Sequence, residues 1–244
     1  TLDNPNVLGE YLIFIIAIAG GMLYWMKKPL YKLAALGILG ASALCMILTQ
    51  SRGAWLGLLF AAAAFALMHD RRLIILGVIA LAFMPVLLPE SVLTRFLSIG
   101  NMTDSSTSYR VNIWLACLLM IKDVWMTGIG SGEPSFRYIY QEYSFNAVEA
   151  PHSHNLYLQV IIELGVFGLV ILAAILLTAF KRFFVSYKLS KDAFIRAAAA
   201  ALAAGLFGYL VQGMTDNVWY NNRIVTFFWL ILAIAGALRE AASE

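Results

Sequence analysis

The chain of 244 residues is 61% hydrophobic and only 13% charged, with a formal net charge of +3 and a mean hydropathy of +0.80. A soluble domain carries about 25% charged residues, so this composition excludes an ordinary soluble enzyme and indicates a membrane protein. No basic patch suggests nucleic-acid binding. The chain begins with Thr1 and shows no signal peptide, which favours a fragment of a longer protein.

Seven apolar segments reach or approach the length of about 20 residues that crosses a bilayer. The sequence therefore predicts an all-α, polytopic transmembrane helical bundle of about seven spans, which forms a single membrane domain over residues 1–244. We find no internal repeat and no soluble second domain. The predicted spans are residues 8–26, 31–49, 53–68, 73–89, 156–180, 194–214 and 223–239.

Basic residues are concentrated in alternate connectors between these segments. By the positive-inside rule, those connectors are predicted to be cytoplasmic. They contain 11 of the 17 lysines and arginines: Lys27, Lys28, Lys32, Arg71, Arg72, Lys181, Arg182, Lys188, Lys191, Arg196 and Arg239. The opposite, outer face then receives residues 1–7, 50–53, 90–155 and 215–222.

The segment 90–155 is predicted to be a large periplasmic or extracellular loop that contains short amphipathic helices. It carries two of the three histidines of the chain. A helix is predicted near residues 109–122, because apolar residues recur there at helical spacing, with N-caps from residues 106–108. A shorter helix is predicted over 91–98, and residues 133–150 are interpreted as a mobile lid.

Three arginines at the predicted outer face are candidates for binding an anion. Arg52 lies at the edge of the hydrocarbon, where arginine is costly unless it pairs or reaches the interface. It is either an interface anchor or an anion clamp, because its planar guanidinium fits phosphate oxygens. Arg110 opens the loop helix, against the helix dipole. Arg223, at the start of the last span, is a third candidate.

His154 is the candidate general base, because a neutral imidazole can accept the proton of a hydroxyl. The alternative is a structural histidine that caps the following helix or bonds to a backbone carbonyl. His152 lies two residues away, which is not the spacing of a helical metal pair, so no metal site and no cofactor are predicted. Glu163 and Asp216 are supporting candidates. Glu163 is an ionisable residue inside an apolar span, and Asp216 lies where it could pair with an arginine.

Five motifs follow one another along the chain: Ser51-Arg52-Gly53-Ala54-Trp55, Tyr109-Arg110 ahead of Ile113-Trp114, Gly128-Ile129-Gly130, His152-Ser153-His154-Asn155 and Glu163-Leu164-Gly165. In this order they resemble the O-antigen ligase and O-antigen polymerase superfamily of bacterial membrane glycosyltransferases. The resemblance covers almost the whole chain and corresponds to the C-terminal, catalytic half of the family. A proline that usually precedes the Gly-x-Gly motif is absent here.

The resemblance implies a metal-independent transferase that moves a glycan from a polyprenyl-diphosphate carrier to an acceptor hydroxyl in surface polysaccharide biosynthesis. The active site would face the outside of the bacterial plasma membrane. The implied partners are the lipid-linked donor, a lipid or glycan acceptor and membrane lipids. Residue by residue, the resemblance makes Arg52 and Arg110 ligands of the diphosphate and His154 the base.

Other functions remain open at this point. The same superfamily contains polysaccharide polymerases and protein O-oligosaccharyltransferases. A transporter or flippase of lipid-linked sugars would favour polar residues at mid-membrane depth and broken helices in paired halves, whereas these spans are nearly free of charge at that depth. A non-enzymatic scaffold would not need the arginine and histidine set.

Overall fold

A computed structural model describes residues 4–243, which form helices and no strand. The prediction of an all-α fold is therefore confirmed. The helices are α1 (Pro5–Trp25), α2 (Pro29–Leu48), α3 (Arg52–Met68), α4 (Arg72–Leu87), α5 (Glu90–Leu97), α6 (Ser105–Val124), α7 (Glu133–Tyr143), α8 (Leu156–Leu189), α9 (Ala193–Gln212) and α10 (Asn222–Ala241). A single 3-10 turn follows α7 at Phe145–Ala147.

Five of these helices, α1, α2, α8, α9 and α10, are long and apolar enough to cross a membrane. Two shorter apolar helices, α3 and the first part of α4, fall on the remaining predicted segments. The seven predicted segments are thus all helical. The largest difference is in α8, which continues to Leu189, nine residues beyond the predicted end at 180.

The described residues cluster into two compact units. The first unit contains the residues up to Leu97, Thr178–Gln212 and the residues from Asn221 onward. The second contains Ser98–Leu177 and Gly213–Tyr220.

In the first unit, α9 packs against both α1 and α3. Most of α9 is alanine, glycine and leucine, and two thirds of its apolar window is buried. A Cβ atom at Gly57 of α3 would lie 2.6 Å from the carbonyl oxygen of Gly208 in α9. Small residues at both positions let the two helix backbones approach, which is how helices associate without a hydrophobic driving force in lipid.

The second unit is organised around α6 and α7. The Asp104 carboxylate accepts a hydrogen bond of 3.0 Å from the backbone N–H of Thr107 and so caps α6. The helix therefore begins before the predicted cap at residues 106–108, because an aspartate three residues upstream of Thr107 is a strong N-cap. Phe136 and Tyr140 of α7 are buried in a core that includes Met120 of α6.

Helix α8 is interrupted at Gly165, whose φ of 68° and ψ of −170° are not helical. The turn that follows α6 supplies the missing hydrogen bonds. The N–H of Ile129 donates to the carbonyl of Ile162 at 2.9 Å, and Gly130 donates to Glu163 at 3.0 Å. Because buried backbone groups require partners, this turn completes the broken helix. The Gly-Ile-Gly and Glu-Leu-Gly motifs of the sequence therefore form one structural element.

Gly128 and Gly130 both have positive φ angles, 69° and 89°, but differ in the space around them. A Cβ atom on Gly128 would lie 2.3 Å from the carbonyl oxygen of Glu163, whereas one on Gly130 meets nothing within 4 Å. We expect Gly130→Ala to cost about 1–2 kcal/mol for the left-handed backbone. Gly128→Ala should lower the free energy of unfolding by a further ~1–3 kcal/mol, because the added Cβ would displace the backbone of Glu163. Thermal unfolding of both variants checks this, and equal losses would contradict the close crossing.

Candidate functional site

The two loop histidines lie in a tight turn immediately before α8. The turn brings His154 into the left-handed region, with a φ of 48°, a conformation that few non-glycine residues adopt. The side chain of Asn155 accepts hydrogen bonds from the N–H groups of Tyr157 and Leu158 at 2.9 and 3.0 Å. Asn155 therefore caps α8, and the interpretation of His154 as the cap is wrong. The imidazole of His154 is available for another role.

The His154 ring contacts Asp216, which lies in the Gly213–Tyr220 segment. Its Nδ1 atom is 3.1 Å from Oδ1 of Asp216. A carboxylate only accepts hydrogen bonds, so Nδ1 must carry the proton, and Nε2 then holds the lone pair of the neutral ring. The two chain segments are also joined by backbone, because the N–H of Leu156 donates to the carbonyl of Gly213 at 2.7 Å.

Arg110 of α6 approaches the other oxygen of the same carboxylate, with its Nη2 atom 3.9 Å from Oδ2 of Asp216. Burial alone would raise the pKa of the Asp216 carboxyl. The hydrogen bond from His154 and the positive charge of Arg110 outweigh burial and hold this pKa below its ordinary value. Asp216 is therefore an ionised hydrogen-bond acceptor at neutral pH.

His152 lies beside His154, with ring centroids 4.1 Å apart, and its other face contacts the ring of Tyr220 at 4.4 Å. Burial, reinforced by the neighbouring His154 and Arg110, lowers the pKa of His152 to about 4. His152 is therefore neutral. Because its Nδ1 accepts a hydrogen bond of 3.1 Å from the N–H of His154, the proton of the ring is on Nε2. Nε2 of His152 is therefore a hydrogen-bond donor, whereas Nε2 of His154 is a proton acceptor.

The site also contains the ligand types that bind metal ions. Potential ligand atoms of His152, His154 and Asp216 all lie within 4.8 Å of one another. Their hydrogen bonds use these atoms differently, however. The lone pair on Nδ1 of His152 and the proton on Nδ1 of His154 are both engaged, and the guanidinium of Arg110 lies beside the carboxylate. A metal ion bound to these three residues would have to replace those hydrogen bonds.

The structure places the remaining predicted residues as follows. Arg52 is the first residue of α3, the helix that Ser51 caps, and only 7% of the surface of Arg52 is exposed. It belongs to the first unit, and its role as a ligand of the diphosphate stays a prediction. Arg223 is an exposed residue in the first turn of α10. Glu163 is in the second unit, where its carboxylate bonds to the side chain of Gln159 at 2.8 Å.

Sequence reasoning missed two kinds of contact. Gln159 was not singled out, although its spacing of four residues from Glu163 on one helix could have shown the pair. Aromatic residues of α6 also contact the turn. The indole of Trp114 donates to the carbonyl of His154 at 3.3 Å, and the ring of Tyr109 lies 5.7 Å from the His154 ring, edge to face. No local sequence signal would have found these.

The sequence was compared with those of known proteins. A family model described as O-antigen ligase matches residues 36–173, which is more than half of the chain. The matched range contains Arg52, Arg110, His152, His154 and Glu163, and it ends before Asp216. No curated protein matches the chain significantly. The protein therefore belongs to the O-antigen ligase family.

Proposed function

We propose that this protein is a glycosyltransferase that moves a glycan from a polyprenyl-diphosphate carrier to an acceptor hydroxyl at the outer face of the plasma membrane. The observation that carries the proposal is the pair formed by His154 and Asp216, with Arg110 beside the carboxylate. Membership of the O-antigen ligase family and several apolar helices support a membrane-bound transferase acting on lipid-linked glycans. The distribution of basic connectors supports the outer face.

In this reaction, Nε2 of His154 takes the proton from the acceptor hydroxyl. The acceptor oxygen forms a bond to the anomeric carbon of the donor glycan, and the bond between that carbon and the diphosphate oxygen breaks. The bonding electrons leave with the lipid diphosphate. Asp216 holds the imidazole in the required tautomer and stabilises the imidazolium that forms, as in other carboxylate–histidine pairs.

The leaving diphosphate gains negative charge as the glycosidic bond breaks. In the proposed site, the guanidinium group of Arg110 and the Nε2–H of His152 stabilise that charge. The family resemblance makes Arg52 a further candidate ligand of the diphosphate. The carboxylate of Asp216 helps to orient Arg110, since the two groups are 3.9 Å apart. The side chain of Arg110 is partly exposed, at 20%, so a ligand can reach it.

The arginines are expected to act on the donor. Arg110→Ala and Arg52→Ala should each lower turnover by about 10²–10³ and weaken donor binding, because each removes a preorganised positive charge. Lysine should rescue either position poorly, since an ammonium lacks the bidentate geometry of guanidinium. Turnover and binding of a defined lipid-linked donor are measured for each variant. Arg137→Ala, which removes an exposed arginine of α7, is the matched control and should remain active.

Normal donor use by Arg52→Ala alone would remove Arg52 from the site and leave Arg110 as the diphosphate ligand. Normal donor use by both variants would contradict the proposed role of the arginines.

His154 is expected to act on the acceptor. His154→Ala should lower turnover by about 10²–10⁴, the contribution of a general base, while donor binding stays near the wild-type value. Asp216→Asn should lower turnover on the order of 10² or more, because the amide no longer enforces the Nδ1–H tautomer. His69→Gln, which changes a histidine of the first unit, is the control for both.

If His154→Ala turns over normally, or if lost donor binding accounts for its whole defect, the base assignment is wrong. Supplying lipid, glycan and peptide acceptors separately in the same assay distinguishes ligase, polymerase and protein-glycosylation activities. Donor movement across vesicles without product would instead indicate a flippase.

We also propose that transfer needs no metal, because arginines and a histidine N–H supply the groups that stabilise the diphosphate. Excess EDTA should therefore leave turnover of the purified protein within about twofold of its untreated value. The rate of transfer is measured before and after chelation, and again after a divalent cation is added back. A loss that the cation restores would make His152, His154 and Asp216 a metal site instead.

A further inference from the structure

Behind the histidine turn lies a chain of hydrogen bonds that the proposed reaction does not use. Gln159, only 5% exposed, accepts a hydrogen bond of 2.7 Å from the N–H of Ser153 through Oε1. Its Nε2 donates to Oε1 of Glu163 at 2.8 Å. The same Glu163 oxygen accepts from the N–H of Gly132 at 3.3 Å. These hydrogen bonds therefore connect Gly132, in the turn that covers the break in α8, with Ser153, the residue between the two histidines.

The chemistry of these groups fixes the direction of every bond in the chain. The N–H of Ser153 can only donate, so the amide oxygen of Gln159 must face it and the amide nitrogen must face Glu163, whose Oε1 accepts. Ser153 is fully buried, and a buried N–H that loses its acceptor costs about 1–3 kcal/mol. Reversing or removing the Gln159 amide would therefore displace the Ser153 backbone rather than leave it unpaired.

We infer that Gln159 and Glu163 are positioning residues for the proposed base. They hold the backbone of Ser153, and through it the left-handed conformation of His154, so that the imidazole meets Asp216. This inference rests on the proposed role of His154. It also gives a role to the glycine turn, because the backbone carbonyl of Glu163 accepts from Gly130 while its carboxylate accepts from Gly132.

The test uses Gln159→Leu and Glu163→Leu in the complete protein. A misplacement of about 1 Å can cost on the order of 10² in rate, so turnover should fall about 10- to 100-fold while donor binding changes less than about threefold. Glu163→Gln keeps an acceptor oxygen and should recover most of the turnover. The matched controls are Gln141→Leu and Glu142→Leu, which change exposed residues of α7.

A second measurement reports the position of the imidazoles without relying on turnover. In NMR spectra of protein labelled at histidine, Gln159→Leu should shift the ring signals of His152 and His154 and leave that of His69 in place. Each signal is assigned by its loss in a variant in which one of the three histidines is replaced. Gln141→Leu should shift none of the three.

Unchanged ring signals together with wild-type turnover in Gln159→Leu would overturn the inference. So would equal losses in Glu163→Leu and Glu163→Gln, since these would indicate a need for charge rather than for an acceptor. If Gln159→Leu does not fold, the two Glu163 variants decide. An active His154→Ala would defeat the proposed base and the positioning role with it, whereas an inactive His154→Ala beside a fully active Gln159→Leu would defeat only the positioning role.

Discussion

The hydrogen bond between Nδ1 of His154 and the Asp216 carboxylate is the interaction on which the rest of the site depends. It decides which nitrogen of the ring carries a proton and so which one can accept another. It also gives Arg110 a fixed anion to orient against. The two neighbouring histidines thereby differ in chemistry, because Nε2 of His154 holds a lone pair while Nε2 of the buried, neutral His152 carries a proton.

The parts of the molecule that hydropathy and periodicity control were predictable from the sequence. All seven apolar segments are helical, and the apolar residues at helical spacing near 109–122 marked α6. The start of α6 was misplaced, because the choice among several polar residues as its cap depends on local geometry, and Asp104 makes the bond. A periodic pattern of apolar residues does not determine which single polar residue caps the helix.

The site was only partly predictable, because its central contact joins residues far apart in the chain. His154 and Asp216 are separated by 62 positions, and only His154 lies in one of the sequence motifs. The motif order identified the family and pointed to His154, but it did not predict the contact with Asp216. Gln159 was missed for a different reason: its spacing from Glu163 indicated a pair on one helix, but the bond from the backbone N–H of Ser153 to its amide oxygen has no sequence signal.

The break in α8 bears on the order in which the protein is made. Hydrocarbon leaves no water for unpaired backbone groups, so the residues around Gly165 need their partners when the helix enters the membrane. Those partners, at Trp125 to Gly130, precede α8 in the chain and leave the ribosome first. The segment that completes the helix is thus already synthesised when α8 emerges and is available to cover the interrupted turn.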